Sequence, residues 1–186
     1  MESQWNSPSI QQDSLELYRT CRDMTADTLF WCLLYINSAL CRAPNRQAIR
    51  DTLLEQSGEY ARLFGWFYPG PTGQDLIRRL DRQNRYFLVY VDRCLTRNPD
   101  AGKQAMRQWE ENGRQAARLF AQLNAYWKQP EWSAMIGQFR QMLGQIVTQS
   151  LEGDTSALPV MAPLAKRLAD DMSAYLAKGF VEKHFV

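Results

Sequence analysis

The sequence predicts an all-α fold, a single-domain antiparallel helical bundle of about five long helices plus one or two short ones. Three observations predict it. Apolar residues recur at helical spacing over long blocks, no stretch alternates strictly between apolar and polar, and proline, glycine and Asn-Pro punctuation cuts the chain into those blocks. The connections between long blocks are short, so neighbouring helices run antiparallel. A chain of 186 residues suits one domain spanning 1–186, with residues 1–7 expected as a flexible lead-in. A domain of that size buries roughly 70% of its unfolded surface, enough for a full core.

The elements follow in order. Ser7-Pro8 offers an N-cap and a proline at the first helical position, opening a long helix expected to run to about Leu40, before Pro44. A shorter pair follows, 45–56 and then a helix capped by Ser57 that leads through Glu59 and Tyr60 into "ARLFGWF". "YPGPTG" at 68–73 breaks the chain. Thr72 is the expected cap of a long helix to Arg97, ended by "NPD"; Asp100 is the expected cap of the next, to about Asn124. Pro130 opens another, closed by Gly153-Asp154. The last runs from about Ala157 to near Gly179, with Pro159 and Pro163 confined to its first turns.

Projected at about 100° per residue, the first helix shows an apolar line through Leu17, Cys21, Met24, Trp31, Tyr35 and Ala39 with Thr28 at its centre. The helix after "YPGPTG" gives Ile77, Leu80, Phe87, Leu88, Val91 and Leu95 around Asn84. The helix after Pro130 gives Trp132, Met135, Met142, Leu143, Ile146 and Ser150 around Phe139. Between them, Trp109, Gly113, Ala116, Ala117 and Phe120 form a stripe of mostly small residues that admits a close neighbour. Thr28 and Asn84 thus stand where packing alone would place leucine. Each either bonds locally within the fold or belongs to a polar site at the bundle centre.

Several functions are excluded by composition. A net charge of +2 from scattered residues gives no positive stripe for nucleic acid. The longest uncharged run, 28–41, is shorter than the roughly 20 residues a membrane span needs. Cys21, Cys32, Cys41 and Cys94 form no CxxC and sit with no secretory signal, which fits free thiols in a cytoplasm. Cys21 and Cys32 lie about 16 Å apart along one helix, too far to bridge. The single histidine, His184, is expected in solvent near the C-terminus. With that one imidazole in solvent the sequence offers no Ser-His-Asp or Cys-His system, and no paired Glu-x-x-His for a metal. Asp23 with Asp27, Glu110 with Glu111 and Asp170 with Asp171 read as solvated or ion-paired surface. "GWFYPGPTG" lacks the lysine of a phosphate loop and reads as an aromatic plug at one end of the bundle. No catalytic residue, metal ligand or cofactor is assigned.

The stretch "WEENGRQAARLFAQLNAYWKQPEWSAM", 109–135, resembles an uncharacterised all-helical bundle family of spore-forming Gram-positive bacteria. Members of that family read roughly W-Y-x-N-A-D-E-I-A-x-F-L-x-x-I-N-P-Y-W-x-x-x-E-W-x-x-M. Trp109, Asn112, Ala117, Asn124, Tyr126, Trp127, Trp132 and Met135 match it in order, and "FYPG" and "LEGD" resemble two further family landmarks. The family carries histidines, usually preceded by glutamate, on three helices. The resemblance places those histidines at Thr28, at or next to Asn84, and at Phe139. The glutamates fall at Asp27, at Gln83 or Asn84, and at Gln138, and the family's Asp-Glu falls at Arg114-Gln115. It implies a bundle kept while its polar centre was replaced, with no activity to transfer.

The expected function is therefore that of a non-enzymatic cytoplasmic bundle with a degenerate central polar site, acting through an unknown protein partner or as a homo-oligomer. Six tryptophans and the Trp66-Phe67-Tyr68 and Tyr126-Trp127 clusters favour an interface. The alternative is a ferritin-like metal- or small-ligand-binding bundle using residual carboxylates. Candidate remnant-site residues are Asp27, Thr28, Asn84, Gln138 and Phe139, and candidate pocket-lining residues are Trp31, Tyr35 and Phe87.

Overall fold

The computed structural model describes residues 8–96 and 98–185, and in them the chain forms seven α-helices and no strand. They are α1 (Pro8–Leu40), α2 (Arg46–Glu55), α3 (Ser57–Phe67), α4 (Pro71–Leu95), α5 (Pro99–Leu123), α6 (Gln129–Leu151) and α7 (Ala157–His184). Five are long and two are short, as the periodicity predicts. Residues 1–7, including the expected cap Ser7, and residue 97, the expected end of α4, lie outside the described residues.

The helix starts differ from expectation because proline claims the first turn. Asn98, not Asp100, caps α5: its side-chain oxygen accepts the amides of Asp100 and Ala101, both at 3.1 Å, with Pro99 following it. Gly70, in extended backbone, precedes α4, whose first residue is Pro71, so Thr72 lies inside the helix instead of capping it. Ser57 is likewise the first residue of α3. At the other end, α7 continues through Gly179 to His184, and Pro163 lies inside it. The α6–α7 turn uses Gly153 at φ +97°, a conformation glycine adopts without strain, and Asp154 accepts Ser156 at 2.8 Å beyond it.

Sequential long helices pack together, α4 on α5, α5 on α6 and α6 on α7, and α7 closes the bundle against α1. The short α2 and α3 lie over α4. Every residue of the small-residue stripe on α5 is buried, and α4 and α5 pack closely along it.

The interior divides into two apolar halves. One gathers Tyr35, Ile36, Phe87, Leu88, Val91, Trp109, Leu143 and Ile146. The other is mainly aromatic, with Phe64, Tyr68, Phe120, Trp127, Trp132 and Phe180 in mutual contact. Such ring pairs contribute about 0.5–1.5 kcal/mol each beyond their buried area. The "GWFYPGPTG" plug is real in part: Phe67 and Tyr68 pack into this half, whereas Trp66 is 84% exposed.

Polar bonds fasten each half. In the first, Asp92 on α4 accepts the Tyr35 hydroxyl at 2.6 Å and pairs with Arg46 and, at 2.9 Å, Arg50. That ties α1, α2 and α4 together. In the second, buried Asn124 donates to the Gly179 carbonyl at 2.7 Å and the Tyr68 hydroxyl at 3.1 Å, and accepts the Tyr126 amide at 2.9 Å. Trp127 donates to the Tyr175 carbonyl at 3.2 Å and sets its nitrogen edge against α7, where a Cβ on Gly179 would overlap its indole nitrogen. Gly179 is thus a docking notch, not a helix terminator. Gly179→Ala is expected to destabilise the fold by about 3 kcal/mol or more through overpacking, measured as the urea midpoint of unfolding; an unchanged midpoint would show that Trp127 is not held there.

Candidate central cavity

Where the two halves of the core meet, side chains leave a cavity of about 110 Å³. Helices α1, α3, α4, α5, α6 and α7 all contribute to its wall. Cys32, Phe87, Trp109 and Leu143 come from one half of the core and Phe120, Trp132 and Leu176 from the other.

The three inner-face centres, Thr28, Asn84 and Phe139, all stand in this wall. The Thr28 hydroxyl and the Asn84 amide nitrogen are already engaged. Thr28 donates its hydroxyl to the Met24 carbonyl of its own helix at 2.9 Å, leaving its oxygen to accept the Tyr60 hydroxyl at 3.4 Å. Asn84 is buried and donates to the Leu53 carbonyl at 3.3 Å and the Ser57 hydroxyl at 3.4 Å, reaching the α2–α3 junction. Phe139 supplies a half-buried ring.

The remaining sequence candidates are distributed differently. Phe87 lines the cavity. Tyr35 is fully buried beside it, edge-on to Phe87 at 6.2 Å, but outside the wall, because its hydroxyl is drawn to Asp92. Trp31 packs at the margin of the core against Phe30 at 5.1 Å, also outside the wall. Asp27 and Gln138 are exposed, each one residue off the inward line of its helix, so the residual carboxylate does not reach the centre. Glu110 and Glu111 pair with Arg114, and Asp170 pairs with Lys166, on the outside. His184 is exposed and lies against the Phe67 ring at 4.8 Å; burial on that side lowers its pKa.

Two further wall residues carry the unmatched chemistry. Gln83 has both its amide nitrogen and its amide oxygen buried with no hydrogen-bond partner, and Trp132 has its buried Nε1 in the same condition. The other two unmatched buried atoms among the described residues, on Asn112 and Gln115, belong to side chains outside the wall. Leaving such a group unsatisfied costs about 1–3 kcal/mol. Gln83 comes inside because α5 offers Gly113 opposite it. A Cβ there would stand 3.1 Å from Gln83 Nε2 and 2.9 Å from the Ile136 methyl. The sequence signal was the glycine in the α5 stripe, which makes room for a neighbour's polar side chain as readily as for its backbone.

No carboxylate stands in the wall, and its one charged side chain, Arg140, donates to the Met106 sulfur at 3.2 Å. Burial raises the pKa of the Cys32 thiol and of the Tyr60 phenol, so both are protonated at neutral pH. Among the described residues no three His, Cys, Asp or Glu side chains gather as a metal would need. All four cysteines are free, and no described helix is long and apolar enough to cross a membrane. Compared with family models, curated proteins and solved structures, the chain matches none.

The arrangement can hold a small, mostly apolar molecule. With the cavity unliganded, Gln83→Leu removes two unmatched atoms and is expected to raise Tm by about 2–4 °C, the shift that about 1 kcal/mol produces in a chain of this size. Thermal unfolding followed by circular dichroism checks it, and a fall in Tm would show that the amide is satisfied in solution.

Proposed function

We propose that this chain is a non-enzymatic bundle that binds a small molecule in its central cavity, at the place where the resembling family carries its histidines. The observation that carries the reading is the cavity itself, about 110 Å³ in the middle of a core whose other side chains interlock. Protein interiors leave few voids larger than a water molecule. At about 24 cal/mol per Å³ an unfilled space of that size costs about 2–3 kcal/mol, which a bound ligand would offset. The exposed Asp27 and the dispersed acids favour the small-ligand form of the bundle over the metal-binding form. Free cysteines favour a reducing compartment such as the cytoplasm.

Toluene is a direct probe, because Trp109 and Trp132 line the space and report on its contents by fluorescence. Saturable binding is expected in the native chain and is expected to be lost in Leu176→Phe, which carries extra volume into the cavity from a buried wall position. Non-saturating, solvent-like behaviour in the native chain would end this reading.

A second reading, action through self-association or a protein partner, is favoured by one side chain. Trp66 is 84% exposed at the last turn of α3, whereas Trp109, Trp127 and Trp132 are spent in the core. Tryptophan is among the residues most enriched at interface hot spots. If it works this way, sedimentation shows a dimer or larger species that Trp66→Ser returns to monomer; a native chain monomeric at about 100 µM would exclude self-association of the affinity such a contact gives.

A further inference from the structure

We propose that a second, separate site takes an amphiphilic organic anion, an apolar body with one acidic head, in the cleft between the C-terminal turns of α4 and α6 and the first turns of α5. The cleft measures about 760 Å³ and shares no wall residue with the central cavity. That volume falls within the roughly 300–1,000 Å³ of small-molecule sites. It stays open partly because α5 presents Gly102 to it: a Cβ there would meet only the Cys94 sulfur, at 3.5 Å.

The floor is apolar, and the core holds it in place. Tyr90 is buried, its hydroxyl donates to the Gly144 carbonyl at 3.4 Å, and its ring lies 5.9 Å from that of Trp109. Met106 is half-buried, with its sulfur accepting an Arg140 N–H at 3.2 Å. Leu151, on the last turn of α6, leaves 41% of its surface exposed in the same wall. An occupant with an apolar body removes that surface from water without rearranging the side chains beneath it.

The charges of the rim decide the head. Lys103 and Arg107 stand four residues apart on α5, on one face of the helix, where like charges repel. Their own helix does little to neutralise them. Lys103 reaches Asp100 only at 4.0 Å, with both side chains largely exposed, and Glu110 and Glu111 are paired with Arg114. Glu152, from the end of α6, stands in the wall as well, but among the described residues it pairs with neither cation. The wall thus sets two cations against one acid. The start of α5 adds no free donor for a head, because the Asn98 side chain already accepts the Asp100 and Ala101 amides. An acidic head on the apolar body gives Lys103 and Arg107 a shared partner, whereas an ammonium head meets them as a like charge.

The test binds anilinonaphthalene sulfonate, an apolar-bodied anion that fluoresces on burial, to the full chain at low salt and displaces it with octanoate, octanol and octylammonium. Saturable dye binding is expected, with octanoate displacing it at about a fifth or less of the octylammonium concentration. Rising salt is expected to weaken octanoate and to leave octanol within about twofold. The double variant Lys103→Gln, Arg107→Gln is expected to weaken octanoate about fivefold or more with octanol little changed, while Glu152→Gln leaves octanoate equal or tighter. Gly102→Leu, which carries a side chain into the cleft beside Cys94, is expected to weaken all the ligands; each variant's urea unfolding curve reports that it folds, and the double variant changes only exposed residues. Octanoate is expected to bind Leu176→Phe as it binds the native chain, so this site and the central cavity stand or fall separately. The proposal is overturned by octanoate affinity unchanged in the double variant or in folded Gly102→Leu, by octylammonium binding tighter than octanoate, by loss of octanoate binding in Glu152→Gln or Leu176→Phe, or by no saturable binding to the native chain.

Discussion

The bundle is closed by one buried carboxamide. Asn124 sits at the corner where α5 ends, and from there it reaches across to the backbone of α7 and to the Tyr68 hydroxyl while holding the turn that follows it. With Trp127 seated against Gly179, this fixes how far α7 stands from the α5–α6 corner. The position of α7 sets that of α1, its principal neighbour, and hence the span across the centre. The corner is built from the Asn-x-Tyr-Trp run, Asn124 to Trp127. Its residues carry architecture: two are buried, and each has a bond or contact that the bundle needs to close.

Asn124 and Gln83 make an instructive pair, carrying the same functional group, with Asn124 fully buried and Gln83 half-buried. At Asn124 both donors and the acceptor are used. At Gln83 none is. A buried amide satisfied on every side rigidifies a fold, whereas one satisfied on no side costs it stability. Both lie in a core already split into an aliphatic-aromatic half and an aromatic half, and the unmatched one lies at the seam. There Gly113 gives Gln83 a place to lie.

The helices were legible because long amphipathic periods and Pro-Gly punctuation are local signals. The caps were less so: with Pro99 and Pro71 taking the first turns, the preceding Asn98 and Gly70 do the work that a simple search assigned to Asp100 and Thr72. Projection also found the centre, since Thr28, Asn84 and Phe139 each lie on the inward line of their own helix. Projection treats one helix at a time, however, and which of two adjacent polar residues is drawn inside depends on the neighbour. Gln83 was visible only as a position beside Asn84, and its burial is decided by a glycine on α5, thirty residues further along the chain. Tyr35 fails in the opposite sense. Its place on the inward line is right, but an aspartate on another helix turns its hydroxyl away from the cavity. Trp127 and Trp132 were misleading as surface markers because part of what buries them comes from α3 and α7, distant in the chain.

The thiol of Cys32 gives the cavity a further character. It is the one sulfhydryl in the wall, and burial keeps its proton in place at physiological pH. A thiol that does not ionise does not add to activated alkenes or exchange with disulfides. At neutral pH the cavity wall therefore presents no thiolate.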